Sequence, residues 1–196
     1  IRACITQMDI FLPDGADSLF VRTRITNPND DVVPMYWWSN VATIQEEGCR
    51  VIVPATQSYV SERYCVKKVD IPYFNNTDIS YPLNNRNAFD YFWKTEQESI
   101  KYICQVDANG YGLVNTSTER LKGRKLFVWG NSQGGKHWMN LLTADDSSGS
   151  YNEIQCGIAN LQLECLPMPG RTVWEWVETY GAIQADKFKV HSDWKT

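Results

Sequence analysis

The sequence predicts an all-β fold, a sandwich or barrel of antiparallel strands, and three observations predict it. Residues 18–26 alternate, with Arg22 and Arg24 on one side and Val21, Thr23 and Ile25 on the other, the signature of a half-buried strand. Turn signals recur along the chain, among them Leu12-Pro13-Asp14-Gly15, Asn27-Pro28-Asn29-Asp30-Asp31 and Asp107-Ala108-Asn109-Gly110. No long stripe of period 3.6 occurs, which leaves one short helix at 134–142. Further strands are expected at 34–41, 50–53, 100–107, 111–116, 125–129, 151–163 and 173–180. The segment 72–86, rich in Asn, Pro and Tyr, reads as a long irregular loop of the kind that often serves a function.

The composition bounds the possibilities. The chain has 196 residues, 43% of them hydrophobic, enough for one domain over 1–196 that buries roughly 70% of its unfolded surface. Its net charge is −4 with no Lys/Arg run, so nucleic acid is not an expected partner. No apolar stretch approaches the roughly 18 residues of a membrane span, so no membrane partner is expected. The chain opens on Ile1-Arg2-Ala3-Cys4, with no Met and no basic-then-apolar leader. It is expected to be excised from a longer multidomain protein, whose neighbouring domains would be its partners. The six cysteines form no CxxC pair, so no metal site is expected. Cys104 and Cys156 sit in apolar runs and read as reduced core thiols, which points to a cytoplasmic location.

Aromatic residues are abundant: eight Trp, ten Tyr and seven Phe. Trp37 and Trp38 are adjacent, and neighbours on a strand point to opposite faces. Either one of them is exposed or both faces are covered. Exposed rings stack on the C–H faces of sugars; the plain alternative is that they fill a two-layer core. In 173–180, alternation puts Trp174, Trp176, Glu178 and Tyr180 together, a saccharide platform or, equally, a core strand with a wet end. In 151–157, Tyr151, Glu153 and Gln155 share a face opposite Ile154 and Cys156, and Glu164 with Gln162 follows on the polar side. Glutamates on nearby strands have the chemistry for an acid and a base in glycosyl or proton transfer; solvated strand faces would carry the same residues.

Histidine is scarce. His137, beside Trp138 after Gly134-Gly135, is a pocket-lining candidate or a surface residue. No GxSxG elbow occurs. The run Trp129 to Lys136 lacks phosphate-loop spacing, because His137 follows the lysine, and no cofactor is expected.

Several motifs are distinctive. They are Asn27-Pro28-Asn29-Asp30, Tyr36-Trp37-Trp38-Ser39-Asn40-Val41-Ala42, Arg50-Val51-Ile52-Val53-Pro54-Ala55 and Lys125-Leu126-Phe127-Val128-Trp129-Gly130. Tyr151 to Gly157, Leu166-Pro167-Met168-Pro169-Gly170 and Trp174 to Gly181 complete the set. From about Ser18 to Ile183 the sequence resembles bacterial domain-of-unknown-function family 5107. Members are usually longer and often carry tetratricopeptide repeats downstream. The resemblance implies an antiparallel β-sandwich of the galactose-mutarotase-like supersandwich type, of which this chain would be a portion. That fold serves sugar binding, epimerisation, lyase and hydrolase chemistry. Aldose epimerases carry an Asn-His motif after the Asn-Pro turn; the parallel stretch here, Trp37-Trp38-Ser39-Asn40, has no His, which removes one expected acid/base group.

The expected function is therefore carbohydrate binding or processing in an aromatic-lined cleft. Trp37, Trp38, Trp129, Trp174 and Trp176 would stack, and Asn40 and Gln155 would bind hydroxyls. Glu153, Glu178 and His137 would carry any glycoside hydrolase or epimerase chemistry. The alternatives are a noncatalytic sugar-binding or structural module and a protein-interaction scaffold with its aromatics in the core.

Overall fold

The computed structural model describes residues 4–63, 65–96, 99–143 and 149–194. In chain order its strands begin β1 (Ile5–Phe11), β2 (Ser18–Asn27), β3 (Val33–Met35), β4 (Trp38–Ile44) and β5 (Arg50–Ile52). There follow β6 (Ala55–Glu62), β7 (Cys65–Asp70), β8 (Tyr73–Phe74), β9 (Thr77–Asp78), β10 (Phe89–Thr95) and β11 (Tyr102–Val106). The series ends with β12 (Tyr111–Ser117), β13 (Gly123–Val128), β14 (Tyr151–Gly157), β15 (Leu166–Met168) and β16 (Thr172–Gln184). Two helices accompany them, α1 (Gln133–Leu142) and α2 (Lys187–Val190).

The long strands form two six-stranded antiparallel sheets, β1-β2-β16-β12-β11-β5 and β4-β14-β13-β10-β6-β7. They pack as a sandwich because the inner strands of each sheet present an apolar face inward. The core holds Ile25, Val51, Ile103 and Trp176 from the first sheet and Val60, Tyr91, Trp93, Leu126 and Ile154 from the second. Outward on the first sheet, Arg22 of β2 donates to Glu175 of β16 at 2.8 Å, as the alternation predicts. Polar ties also cross the interlayer: Thr43 of β4 and Asn152 of β14 both donate to Gln105 of β11, each at 2.8 Å.

Some predicted elements differ. The strand expected over 151–163 stops at Gly157, and residues 158–165 turn back over the second sheet. Gly157 gives way to the Trp38 indole, since a Cβ there would lie 2.3 Å from the ring. β1, β6, β7 and β10 carry no simple alternation. Every residue of β1 and nearly every one of β7 is exposed, because both strands end their sheets. In β10, Tyr91, Phe92 and Trp93 are all buried because both faces of that strand are covered. The loop expected over 72–86 contains the β8–β9 hairpin, whose turn residues Asn75 and Asn76 have φ of 50° and 61°, and a 3₁₀ turn at Pro82–Asn84. Asparagine tolerates that left-handed conformation better than most residues.

Candidate functional site

The outer face of the second sheet, turned away from the core, concentrates the polar chemistry. Cross-strand pairing fixes its layout. Asn40 lies opposite Gln155, Gln155 opposite Lys125, Lys125 opposite Phe92 and Phe92 opposite Tyr59. In the next row Ala42 faces Glu153, Glu153 faces Phe127 and Phe127 faces Asp90. Period-2 alternation on β14 and β13 therefore delivers Tyr151, Glu153 and Gln155 beside Lys125 and Phe127, with Trp129 just beyond the strand end.

These side chains form one polarised chain of hydrogen bonds. The Lys125 ammonium, buried over the rings of Phe92 and Phe127, contacts Asp90 Oδ1 at 2.5 Å. It donates to Gln162 Oε1 at 2.7 Å; Gln162 Nε2 donates to Gln155 Oε1 at 2.9 Å; Gln155 Nε2 donates to Glu153 Oε2 at 2.9 Å. Asn40 Nδ2 donates to the same Glu153 oxygen at 2.5 Å. An ammonium can only donate and a carboxylate only accept, so the two ends fix the orientation of both glutamine amides between them. Glu153 Oε1 has no protein hydrogen bond among the described residues, and the carboxylate is half-buried.

Aromatic rings flank this carboxylate. Trp129 meets Phe127 edge-to-face at 4.6 Å and Tyr151 at 6.3 Å. Trp38 meets Phe92 edge-to-face at 5.9 Å and lies over Gly157 and Gly123, where a Cβ would come within 2.6 Å of the indole. Burial, and next the Glu153 carboxylate, push the Tyr151 phenol above its ordinary range. A half-buried carboxylate with a free oxygen between ring faces can accept from hydroxyls while the rings stack on an apolar ligand face.

The other predicted residues lie elsewhere. The face of β16 read as a platform is the interior face of the sandwich. Trp176 is 2% exposed and meets Trp37 edge-to-face at 5.3 Å, so both indoles serve the core. Trp37 and Trp38 thus occupy opposite faces: Trp37 packs in the interlayer and Trp38 is half-buried on the outer face of the second sheet. Trp174 packs at the core margin with Arg120 over its ring at 5.1 Å. Glu178 is 1% exposed and accepts from Ser39 Oγ at 2.5 Å, Tyr180 Oη at 3.1 Å and Asn115 Nδ2 at 3.4 Å. It is separated from Glu153 by the second sheet, so these two glutamates cannot work as a pair on one ligand. His137 is exposed on α1, its ring 6.2 Å from Trp138, and no hydrogen bond joins it to the Glu153 chain among the described residues.

Sequence reasoning missed Lys125, Asp90 and Phe127. The alternation Lys125, Phe127, Trp129 carried the signal for two of them; Asp90 stood in a strand with no legible period. Gln162 was expected on a strand and instead reaches the site from a loop. A cavity of about 700 Å³ at the β6–β7 end, lined by Ser61, Glu62, Arg63, Cys65, Lys67 and Phe89, touches none of this network. Its walls are exposed hairpin side chains with one Lys67–Glu62 pair at 2.7 Å, a weaker basis for recognition. Among the described residues no group of three or more His, Cys, Asp or Glu is placed to hold a metal. No helix among them is long and apolar enough to cross a membrane.

Residues 4–166 match the protein family described as a domain of unknown function, DUF5107. Among solved structures, a tetratricopeptide-domain-containing protein from Parabacteroides distasonis matches with a TM-score of 0.75 and 23% identity, over 97% of this chain and 32% of that one. A protein from Escherichia coli provisionally assigned as an aldose 1-epimerase matches with a TM-score of 0.68 and 12% identity, over 94% and 62%. A galactose mutarotase-like protein from Clostridium acetobutylicum matches with a TM-score of 0.59 and 12% identity, over 93% and 63%. This chain therefore spans about a third of the first and under two thirds of the other two. The shared fold is the galactose-mutarotase-like β-sandwich.

Proposed function

The chain belongs to the DUF5107 family, and on that premise we propose that it binds a saccharide on the outer face of its second sheet. The observation that carries this reading is the Glu153 carboxylate, held by Asn40 and Gln155 beside Tyr151, Phe127 and Trp129, with its second oxygen unused among the described residues. Sugar hydroxyls would donate to that oxygen, and the indoles of Trp129 and Trp38 would take the ring's C–H faces. The Lys125 charge is already met by Asp90, so the face suits a neutral sugar. The likeness to a galactose mutarotase-like protein agrees with that class of ligand.

The test is a tryptophan-fluorescence titration with glucose, galactose and their oligosaccharides. Saturable quenching is expected, weakened roughly ten- to hundredfold in Glu153→Gln, the scale of one hydrogen bond to a charged acceptor. Trp129→Ala should weaken it comparably. No response to any of these sugars, or equal affinity in both variants, would overturn the proposal.

The neighbour assigned as an aldose 1-epimerase favours a second reading, in which Glu153 takes the proton from an anomeric hydroxyl. Polarimetry of freshly dissolved α-glucose and α-galactose separates the two. Faster mutarotation, lost in Glu153→Gln, selects the enzyme; binding with no acceleration selects the noncatalytic module.

A further inference from the structure

A second polar hollow lies where β10, β11 and the turn before β13 meet. It has a volume of about 310 Å³ and is lined by Thr95, Lys101, Glu119, Lys122 and Asn160. Lys101 is the unusual member: only 7% of the residue is exposed, yet its ammonium has no carboxylate within ion-pair distance among the described residues. An ammonium carries three donors. One is used, on the Glu96 carbonyl at 2.5 Å, and no protein acceptor is present for the other two among the described residues.

The surroundings add positive charge. Arg124 is fully buried on the core side; among the described residues it donates to the carbonyls of Leu121 and Gly123 and the hydroxyl of Ser117, and its Nε has no partner. Lys122 lines the rim, and with Arg120 also lines an adjoining hollow of about 310 Å³ beside Trp174. Of the nearby acids among the described residues, Glu96 is engaged by Lys94 at 3.2 Å, Glu164 accepts from the Asn160 backbone N–H at 3.2 Å, and Glu119 lines the wall. Burial first, then the Arg124 charge, hold the Lys101 ammonium below the usual lysine range. A buried cation without a counter-ion is costly, and an anion seated against it relieves that cost.

We propose that this hollow is an oxyanion-binding site, taking a carboxylate, sulfate or phosphate group between Lys101 and Lys122. Asn160 supplies an additional amide at its wall. The site is distinct from the Glu153 face and does not depend on the sugar reading, although residues 158–165 border both through Asn160 and Gln162.

Thermal melting of the chain with sodium sulfate, phosphate or acetate, each against sodium chloride of equal ionic strength, tests it. A saturable rise in melting midpoint is expected with an oxyanion. Its half-saturation point should move at least tenfold in Lys101→Met and severalfold in Lys122→Gln. Lys122 is exposed, so its variant keeps the test valid should Lys101→Met fail to fold. Glucuronate against glucose distinguishes the source: tighter binding of glucuronate than acetate marks a sugar acid, and equal binding marks a free oxyanion; both support the site. Midpoints that follow ionic strength alone, or variants that respond like the parent chain, would overturn it.

Discussion

Glu153 and Glu178 invite comparison, because the sequence puts them in similar company and the fold puts them on opposite sides of one sheet. Each accepts hydrogen bonds from more than one side chain. Glu153 keeps an oxygen with no hydrogen-bond partner among the described residues, whereas Glu178 is closed in by Ser39, Asn115 and Tyr180, and the Cys156 thiol donates to Asn115 at 2.6 Å behind them. The same residue type on an alternating strand stays open or becomes structural according to whether another layer lies across from it. Arg124 shares the interior with Glu178, with no ion pair within 4.0 Å between them among the described residues, so each charge rests on hydrogen bonds.

Substitution should separate the two carboxylates most sharply. Glu178→Ala is expected to cost about 2–4 kcal/mol, because it leaves the Ser39, Asn115 and Tyr180 donors unmatched in the interior and opens a cavity between the sheets. Glu153→Ala should cost about 1 kcal/mol or less while removing sugar binding. Urea unfolding of both variants checks this; equal losses would erase the distinction drawn between the two faces.

Alkaline pH should act most strongly on the interior. Burial pushes the Cys104 and Cys156 thiols up to about 12, against about 8.5 in an unfolded chain. A raised folded value means that the unfolded state loses its proton first. Stability is therefore whole below about pH 8.5 and falls above it, by about 1.4 kcal/mol per pH unit for each thiol. Burial also raises Tyr91 and Tyr180, which join the decline above about pH 10. Urea midpoints measured with reductant across pH 7.5–10.5 would show the slope, and a flat profile would mean these groups are solvated. The smallest effect belongs to the exposed Arg22–Glu175 pair: Arg22→Ala should lower the urea midpoint least of all these changes, and that shift should fade in high salt.

Legibility in the sequence followed the same division. Where a strand had one covered face, as in β2, alternation named its inward and outward residues correctly. On β16 alternation grouped Trp174, Trp176, Glu178 and Tyr180 correctly, but period 2 does not say which of the two groups faces inward, and the platform was read on the wrong side. On β14 the grouping of Tyr151, Glu153 and Gln155 holds, and Asn40 meets it from 113 residues earlier in the chain. The Lys125–Gln162–Gln155 chain was beyond reach, since it depends on a loop folding over the sheet.

The seat of Trp38 is made from what Gly123 and Gly157 lack. Main-chain spacing, and not rotamer choice, sets how high that indole stands above the strands. Substitution therefore has little room to vary the floor, whereas in the overhanging residues 158–165 one changed side chain, such as Gln162, would alter the reach to Lys125 without disturbing either layer.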